Sequence, residues 1–391
     1  MKRFEYEDAC IKCSLCVTAC PVYRVDTQFP GPKALGPDWY RRHQAGEVKA
    51  MEHVSDCTFC QLCENACPVD VPIAHLIAEH KHVASESRRL ALRDYLLTHP
   101  QWLAMAPSLV KVPKQLGIPL GISASTQWPV PSPIQRTNRH RYRVRRQQAS
   151  PLPQVGIFVD CFTRGFDSET FAAASAVLGE LGYATVALPA ASHCCGAAAY
   201  ASGLLGEAER SARRTHRAIR RVSVGLEAVV TLNATCDDTL RVEWPRYFGL
   251  HLSTPIVPFV DFVLDKASPG FFEQLRRGSI DEVIYTHATC RSKVARGEGS
   301  LFALMERASD HEPEILAISC CGAAGSYAFK AEHTKVARAL GGHAREVMGA
   351  PGVILTDSGT CAIHLQELTG SETLHPARWL HAQLQRQAVK Q

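Results

Sequence analysis

Two cysteine runs near the N-terminus constrain this chain more than any other feature of its sequence. The pattern C-x2-C-x2-C-x3-C-P begins at Cys10 and again at Cys57. In such a run, three closely spaced thiolates wrap one face of a four-iron cubane, and the fourth cysteine ligates the other cluster of the pair. The spacing therefore predicts two [4Fe–4S] clusters, bound by Cys10, Cys13, Cys16 and Cys67 and by Cys57, Cys60, Cys63 and Cys20.

Two zinc ions, each bound by four cysteines, are the alternative assignment for these runs. Zinc modules usually pair C-x2-C units across a gap, and they give no reason for the proline after each fourth cysteine. The spacing is instead that of bacterial ferredoxins. We therefore expect residues 1–82 to form a helical, ferredoxin-like domain with two [4Fe–4S] clusters. Neither cluster has an open ligand position, which favours electron transfer over catalysis.

The C-terminal half of the chain repeats itself. QVGIFVDCFTRG matches DEVIYTHATCRSK, ATVALPAASHCCGAAAYASG matches EILAISCCGAAGSYAFK, and EAVVTLNATCDDTL matches GVILTDSGTCAIHL. Each segment has an apolar run that ends at or just before a cysteine, with helical patterns between, which predicts two α/β modules with mostly parallel strands. Ser168 is predicted to cap one of these helices, and Gly182 to end it. We place the modules at residues 155–268 and 279–391.

Each module supplies one cysteine, then an adjacent pair before a glycine, then a fourth cysteine. The carboxyl ends of parallel strands meet at one edge of a sheet. We therefore expect two cofactor-binding sets, each able to hold a further iron–sulfur cluster: the first set is Cys161, Cys194, Cys195 and Cys236, and the second set is Cys290, Cys320, Cys321 and Cys361. Gly196 and Gly322 would let the backbone approach a bulky cluster.

Two other interpretations of these eight cysteines are less favoured. Free cysteines often serve as small buried hydrophobic residues, but eight in register across two repeats do not fit that role. A pair that cycles through a disulfide is the other alternative. Neighbouring Cα atoms lie about 3.8 Å apart, whereas an unstrained disulfide needs roughly 4.4–6.8 Å, so a metal centre is favoured.

The two C…CCG…C modules resemble the cysteine-rich CCG domain of heterodisulfide reductase, the glycolate oxidase iron–sulfur subunit and the lactate-utilisation proteins. With the N-terminal runs, FPGPKALGPD and LHPARWLHAQL, the chain is most similar to the family of the C subunit of anaerobic glycerol-3-phosphate dehydrogenase. The resemblance covers nearly the full length. It implies an iron–sulfur subunit that passes electrons from a flavoprotein dehydrogenase, acting on glycerol 3-phosphate or a 2-hydroxy acid such as glycolate or lactate, towards membrane quinone. The catalytic flavin is then expected on a partner subunit.

One departure from the heterodisulfide-type modules concerns the last cysteine. Those that hold double clusters end in C-x2-C, whereas each module here ends in a single cysteine. This argues against a double cluster, and against the alternative function of a thiol–disulfide redox catalyst. Substitutes for the missing ligand could come from the side chains of Asn233, Thr239, His193, His287, Ser358 and His364.

Residues 83–154 form a connector rich in Pro, Gly and Arg. Residues 95–159 hold eight Lys or Arg and no Asp or Glu, although the whole chain carries a net charge of only +5. No nucleic-acid recognition motif accompanies these residues. Two roles for the segment remain: it binds an anionic membrane surface, or it is a solvated linker that docks on an acidic partner subunit. The proline spacing predicts that this segment runs over the protein surface.

The location of the protein follows from apolar runs and cysteine use. No apolar run approaches the ~20 residues of a membrane span, and the N-terminus lacks a signal-peptide core. Sixteen cysteines in a reducing compartment indicate metal binding rather than disulfides. We expect a cytoplasmic protein, either free or bound as a peripheral protein to the inner face of the cell membrane.

Overall fold

The N-terminal region is built from short helices. The computed structural model describes residues 9–46, 50–85, 91–99, 121–123, 151–188, 194–278 and 281–390. Pro21, which follows Cys20, is the first residue of a helix, where its missing N–H costs nothing. The helices of this region are Leu15–Thr18, Pro21–Val25, Trp39–Gln44, Leu62–Asn65 and Ile73–Ser85, with a π-helical turn at Ala34–Asp38 and a 3-10 turn at Val54–Asp56.

The first module contains a parallel four-stranded sheet. Its strands are β1 (Gln154–Phe158), β2 (Ala184–Leu188), β3 (Val229–Thr231) and β4 (Ile256–Pro258), in the order β2-β1-β3-β4. The chain therefore crosses from one side of β1 to the other between β2 and β3. The module's helices are Cys161–Phe166, Ser168–Glu180, Ala197–Ala201, Leu205–Val222, Ala234–Asp238, the π-helical Thr239–Phe248, Phe259–Lys266 and Pro269–Arg277.

The second module repeats this topology, as its sequence predicts. Strands β5 (Ile284–His287), β6 (Glu314–Ile315), β7 (Val353–Thr356) and β8 (Thr373–Leu374) pair in parallel in the order β6-β5-β7-β8. Its helices are Cys290–Arg296, Gly299–Ala308, Thr334–Gly341, Ala344–Val347, Gly359–Thr369 and Pro376–Lys390, with 3-10 turns at Tyr327–Phe329 and Ala331–His333. The mixed fold with two parallel sheets is thus confirmed.

The two modules share one hydrophobic core. The last helix of the second module, Pro376–Lys390, packs on Ser168–Glu180 of the first, and Phe259–Lys266 of the first packs on Gly299–Ala308 of the second. The core between them contains Val177, Val263, Leu304 and Leu380, all fully buried. Each module therefore buries part of its apolar surface against helices of the other.

The N-cap predicted at Ser168 is wrong by one residue. The carboxylate of Asp167 accepts a hydrogen bond from the N–H of Thr170, and Ser168 is the first helical residue. Asp and Ser are both good caps, so the pattern allowed either. Gly182 follows the helix with a φ of +86°, as a terminating glycine does.

The described parts of the connector are more buried than the sequence suggests. The helix Ala91–Thr98 carries Arg93, whose guanidinium forms an ion pair with Glu332 of the second module at 2.7 Å. Ile122 pairs with Lys330 in an isolated antiparallel bridge. Both pieces therefore contact residues 330–332 of the second module. The arginine-rich run 136–146 lies outside the described residues.

No helix within the described ranges is both long enough and apolar enough to cross a bilayer.

We expect Leu380→Ala to destabilise both modules together. The side chain is fully buried in the shared core, and such a truncation costs about 2–5 kcal/mol. Urea unfolding followed by circular dichroism should show a single shifted transition. Val224→Ala, at a side chain that is 72% exposed, is the control and should change stability by no more than about 0.5 kcal/mol. Two separate transitions for Leu380→Ala would contradict the shared core.

Candidate metal centres

The eight N-terminal cysteines surround two small cavities. Site A is a cavity of about 20 Å³ lined by Cys10, Cys13, Cys16 and Cys67. Site B is a cavity of about 10 Å³ lined by Cys20, Cys57, Cys60 and Cys63. The structure therefore brings the fourth cysteine of each run to the site formed by the other run.

The two runs have the same backbone conformation. Lys12 and Ser14 in the first run, and Phe59 and Gln61 in the second, occupy matching positions and all have a φ between 58° and 64°. This left-handed region costs a non-glycine residue roughly 1–2 kcal/mol. Strain of this kind persists where the surroundings impose it, often at binding sites. With this backbone conformation, the first three thiols of each run line one cavity.

Burial makes these thiols hard to ionise without a cation nearby. It raises the pKa of Cys20 to about 12, and that of Cys60 to about 12, where the charge of Cys290 adds to the effect. Iron binds thiolates, so its charge would compensate this cost. The walls of both sites are mostly apolar, with Val71 and Ile73 at site A and Phe29 and Ile77 at site B. Four thiols around a small, dry space fit a cubane.

The first set gathers where β1, β2 and β3 end. The Sγ atoms of Cys194 and Cys161 are 3.9 Å apart, and those of Cys195 and Cys236 are 3.4 Å apart. The two adjacent cysteines therefore contact different partners, one after β1 and the other after β3. This explains the doublet, because a single residue could not reach both.

The second set has the same arrangement. The thiol of Cys290 contacts that of Cys320, and the thiol of Cys321 contacts that of Cys361. The contact with Cys320, together with burial, raises the pKa of Cys290. Within the described residues, no group of three Cys, His, Asp or Glu side chains converges closely enough to hold a single metal ion. All eight thiols of the two sets are free of disulfides. Six are buried, and Cys161 and Cys290 are partly buried.

The glycine after each doublet has two functions. Gly196 and Gly322 have φ values of 96° and 82°. A Cβ at these positions would lie 2.8 Å from the carbonyl oxygen of Ala208 and 2.0 Å from that of Ala337. In this structure the close approach is to a following helix; the approach to a cluster that the sequence suggests stays a prediction. Each glycine N–H also donates to the first sulfur of its doublet, at 3.4 and 3.3 Å.

A larger cavity joins the second set to site B. Its volume is about 130 Å³, and it is lined by all four cysteines of the second set and by Cys57 of site B. Its basic lining residues are Lys81, Arg291, Lys330 and His333, with no carboxylate among the lining residues that the structure describes. Tyr327 also lines it, and its buried hydroxyl has no hydrogen-bond partner among the described residues. The cavity is more polar than sites A and B, and its charged lining residues are basic.

A buried ionic network lies beside Cys290. The Arg291 guanidinium is 2.8 Å from Asp238 and 2.5 Å from Glu243, both in the first module. Gln61 of the N-terminal domain donates to the same Glu243 oxygen at 3.0 Å. Burial raises the pKa of Asp238 to about 6, against the opposing effect of Arg291. This network was not predicted, and the position of Arg291 directly after Cys290 was its sole signal in the sequence.

Most of the predicted substitute ligands make other hydrogen bonds, and those of the two histidines use Nδ1, which leaves Nε2 out of them. Asn233 caps a helix by accepting from Thr235 N–H, and Thr239 donates to Glu243 at 2.8 Å. His364 Nδ1 bonds the carbonyl of Cys321 at 2.7 Å, and His287 Nδ1 bonds Thr356 at 2.9 Å. Ser358 lines the large cavity with Cys361, whereas residue 193 lies outside the described part of the chain.

The sequence matches two known families. Residues 7–71 match a 4Fe–4S dicluster domain, and residues 155–241 and 284–366 each match the cysteine-rich CCG domain. The C subunit of anaerobic glycerol-3-phosphate dehydrogenase from Escherichia coli K12 is 30% identical over 386 residues, which cover 94% of this chain and 96% of that protein. The same subunit from E. coli O157:H7 gives the same values.

A more distant relative covers part of the chain. The B subunit of fumarate reductase (CoM/CoB) from Methanothermobacter marburgensis is 23% identical over 241 residues, covering 58% of this chain and 44% of that protein. No solved structure matches. The domains and relatives agree that the chain binds iron–sulfur clusters.

Gly322→Ala should destabilise the protein more than Gly370→Ala does. Both glycines have positive φ, but only a Cβ at position 322 would collide with backbone, whereas position 370 has nothing within 4 Å. We expect a difference of at least about 2 kcal/mol in the free energy of unfolding, because a buried collision adds to the cost of positive φ. Denaturant unfolding measures it. Equal decreases in the free energy of unfolding of the two variants would show that the close approach to Ala337 does not affect stability.

Arg291→Leu should cost about 3–5 kcal/mol, because it leaves Asp238 and Glu243 buried without their cation. Arg213→Leu is the control, since its ion pair with Glu209 is largely exposed and worth no more than about 1 kcal/mol. Chemical denaturation of both variants gives the comparison. A loss below about 1 kcal/mol for Arg291→Leu would mean that the network is not needed for stability.

Proposed function

Because the chain belongs to the family of the C subunit of anaerobic glycerol-3-phosphate dehydrogenase, we propose that it is the iron–sulfur subunit that carries electrons from a flavin-dependent dehydrogenase towards membrane quinone. Glycerol 3-phosphate is the favoured substrate of that partner, with glycolate or lactate as alternatives. In this proposal the chain does not bind the substrate. Its own residues hold the clusters, exclude water from them and place them in sequence.

The observation that carries the proposal is the continuity of the cysteine sites. Cys57 lines both site B and the large cavity at the second set. Cys60 and Cys290 are close enough for the charge on one to raise the pKa of the other. Thr235, next to Cys236 of the first set, also lines that cavity. The order of sites A, B, second set and first set forms one path for electrons.

Site A supplies an exposed end of this path. Cys13 is exposed, and the neighbouring Ile11 and Leu15 are 62% and 48% exposed. An apolar surface beside a cluster suits contact with a partner subunit, since exposed apolar side chains gain by burial in an interface. We therefore assign this end to the flavoprotein, with the clusters at A and B as [4Fe–4S] cubanes.

Paired substitutions test the crossed ligation. In the proposal Cys20 and Cys60 belong to one cluster, so Cys20→Ala/Cys60→Ala should lose the same single cluster as either change alone. Cys20→Ala/Cys16→Ala should lose both, because Cys16 belongs to site A. Iron analysis and EPR spectroscopy of the anaerobically purified variants distinguish the two results. The reverse pattern would show that each run binds its own cluster.

The role of the two sets can be tested by iron counting together with a reduction assay. With clusters in the modules, the iron content should exceed about eight per chain, and Cys195→Ser or Cys321→Ser should lower it and remove one EPR signal. The chain mixed with its flavoprotein dehydrogenase and glycerol 3-phosphate should become reduced. Eight irons in both wild type and variants would restrict the electron path to sites A and B.

The large cavity at the second set favours one second candidate, a thiol–disulfide redox catalyst. All four cysteines of the second set line it together with Lys81 and Lys330. A disulfide substrate with acidic groups would meet positive charge there, where Lys330 also pairs with Asp94 at 3.1 Å. Two electrons from the clusters and two protons would convert such a disulfide to two thiols. Single-turnover reaction of the dithionite-reduced chain with a disulfide, followed by thiol titration, tests it. An unchanged disulfide after cluster reduction would exclude this candidate.

A further inference from the structure

The helix Leu205–Val222 presents a row of arginines to solvent. It carries two glutamates, Glu207 and Glu209, and six arginines, which gives a net charge of 6 − 2 = +4. Four of the arginines follow the spacing i, i+4, i+7, i+11, so they lie on one stripe of the helix. The six are Arg210, Arg213, Arg214, Arg217, Arg220 and Arg221.

Most of this charge is not neutralised within the part of the chain that the structure describes. Arg210 pairs with Glu207 and Arg213 with Glu209. The remaining four, at positions 214, 217, 220 and 221, have no ion pair or hydrogen bond to a described residue. Like charges three and four residues apart destabilise a helix. An acidic surface placed against this face would remove that repulsion.

The inner face of the same helix holds the first set. Ser211 Oγ and Thr215 Oγ1 both donate to the carbonyl of Cys194, at 3.0 and 2.7 Å. The carbonyl of Ala208 lies against Gly196. A helix with its side chains is about 10–12 Å across. A molecule seated on the arginines is therefore separated from the first set by the thickness of one helix.

The chemistry of the helix favours a protein over a lipid surface as the occupant. Ala208, Ala212 and Ile219 are fully buried in the module's own core. The helix therefore has no apolar face to insert into a bilayer interface, as interfacial helices do. Encounters between electron carriers use small interfaces steered by complementary charge, and a planar guanidinium can bind a carboxylate through two parallel hydrogen bonds.

We infer that the outer face of Leu205–Val222 docks an acidic electron-carrying protein, which exchanges electrons with the first set at the opposite end of the path from site A. This inference rests on the proposed electron-transfer function. The chain would then have two docking sites for electron carriers. One is the apolar surface around Cys13, and the other is the arginine face beside the first set, which binds by charge complementarity.

The test is the rate at which an acidic one-electron donor reduces the chain. Fully reduced flavodoxin, a small acidic flavoprotein, serves as the probe, and stopped-flow absorbance follows the iron–sulfur clusters of the full-length protein. We expect Arg217→Glu/Arg221→Glu to slow reduction about tenfold at low ionic strength and to abolish most of the salt dependence. The matched control is Lys335→Glu/Arg345→Glu, which changes the charge equally at residues of the second module and should leave the rate within about twofold.

Each outcome is decisive. Equal flavodoxin rates in wild type and both variants, with normal reduction by dithionite, overturn this inference alone. A chain without redox-active clusters overturns the proposed function instead. Sedimentation with vesicles of phosphatidylcholine and phosphatidylglycerol separates the lipid alternative: vesicle binding lost in Arg217→Glu/Arg221→Glu, with flavodoxin reduction unchanged, would show that the face binds anionic lipid and contradict the inference.

Discussion

The buried ion pairs of Arg291 hold the three parts of the protein in register. Its guanidinium belongs to the second module, its carboxylate partners Asp238 and Glu243 to the first, and Gln61 of the N-terminal domain binds the same glutamate. Three charges this deeply buried are tolerable only when they meet. Because Gln61 follows Cys60 and Arg291 follows Cys290, the network also fixes the separation between site B and the second set, on which the proposed electron transfer depends.

The repeated modules explain why the cysteines of each module gather at one edge of its sheet. Each parallel sheet delivers its cysteines to the carboxyl ends of its strands, and the packing of helices across the two modules places those edges against one another. At this junction the Ala234 N–H donates to the Asp357 carbonyl oxygen at 3.0 Å, and His375 binds the Leu232 carbonyl at 2.8 Å. The two cysteine doublets nevertheless have different surroundings. Tyr200 beside the first doublet is hydrogen-bonded to His75 of the N-terminal domain, whereas the Tyr327 hydroxyl has no partner among the described residues that line the cavity.

Local features of this protein were predictable from the sequence, and long-range features were not. Cysteine spacing predicted the groupings around sites A and B, and apolar runs before Cys161 and Cys290 predicted the strands, because both depend on short segments. The role of Gly322 was not predictable, because its neighbour Ala337 is brought close by folding of a later helix. The contacts of Arg291 and Arg93 join segments far apart in the chain, and no periodicity or motif encodes such pairs.

The central claim, that sites A and B hold two cubanes in electronic contact, has a direct test. The measurement is metal analysis of the anaerobically purified full chain combined with EPR spectroscopy before and after reduction by dithionite. We predict at least about eight irons with matching sulfide, and on reduction a spectrum of two magnetically coupled [4Fe–4S] clusters. Zinc in place of iron, or iron that dithionite does not reduce, would contradict the claim.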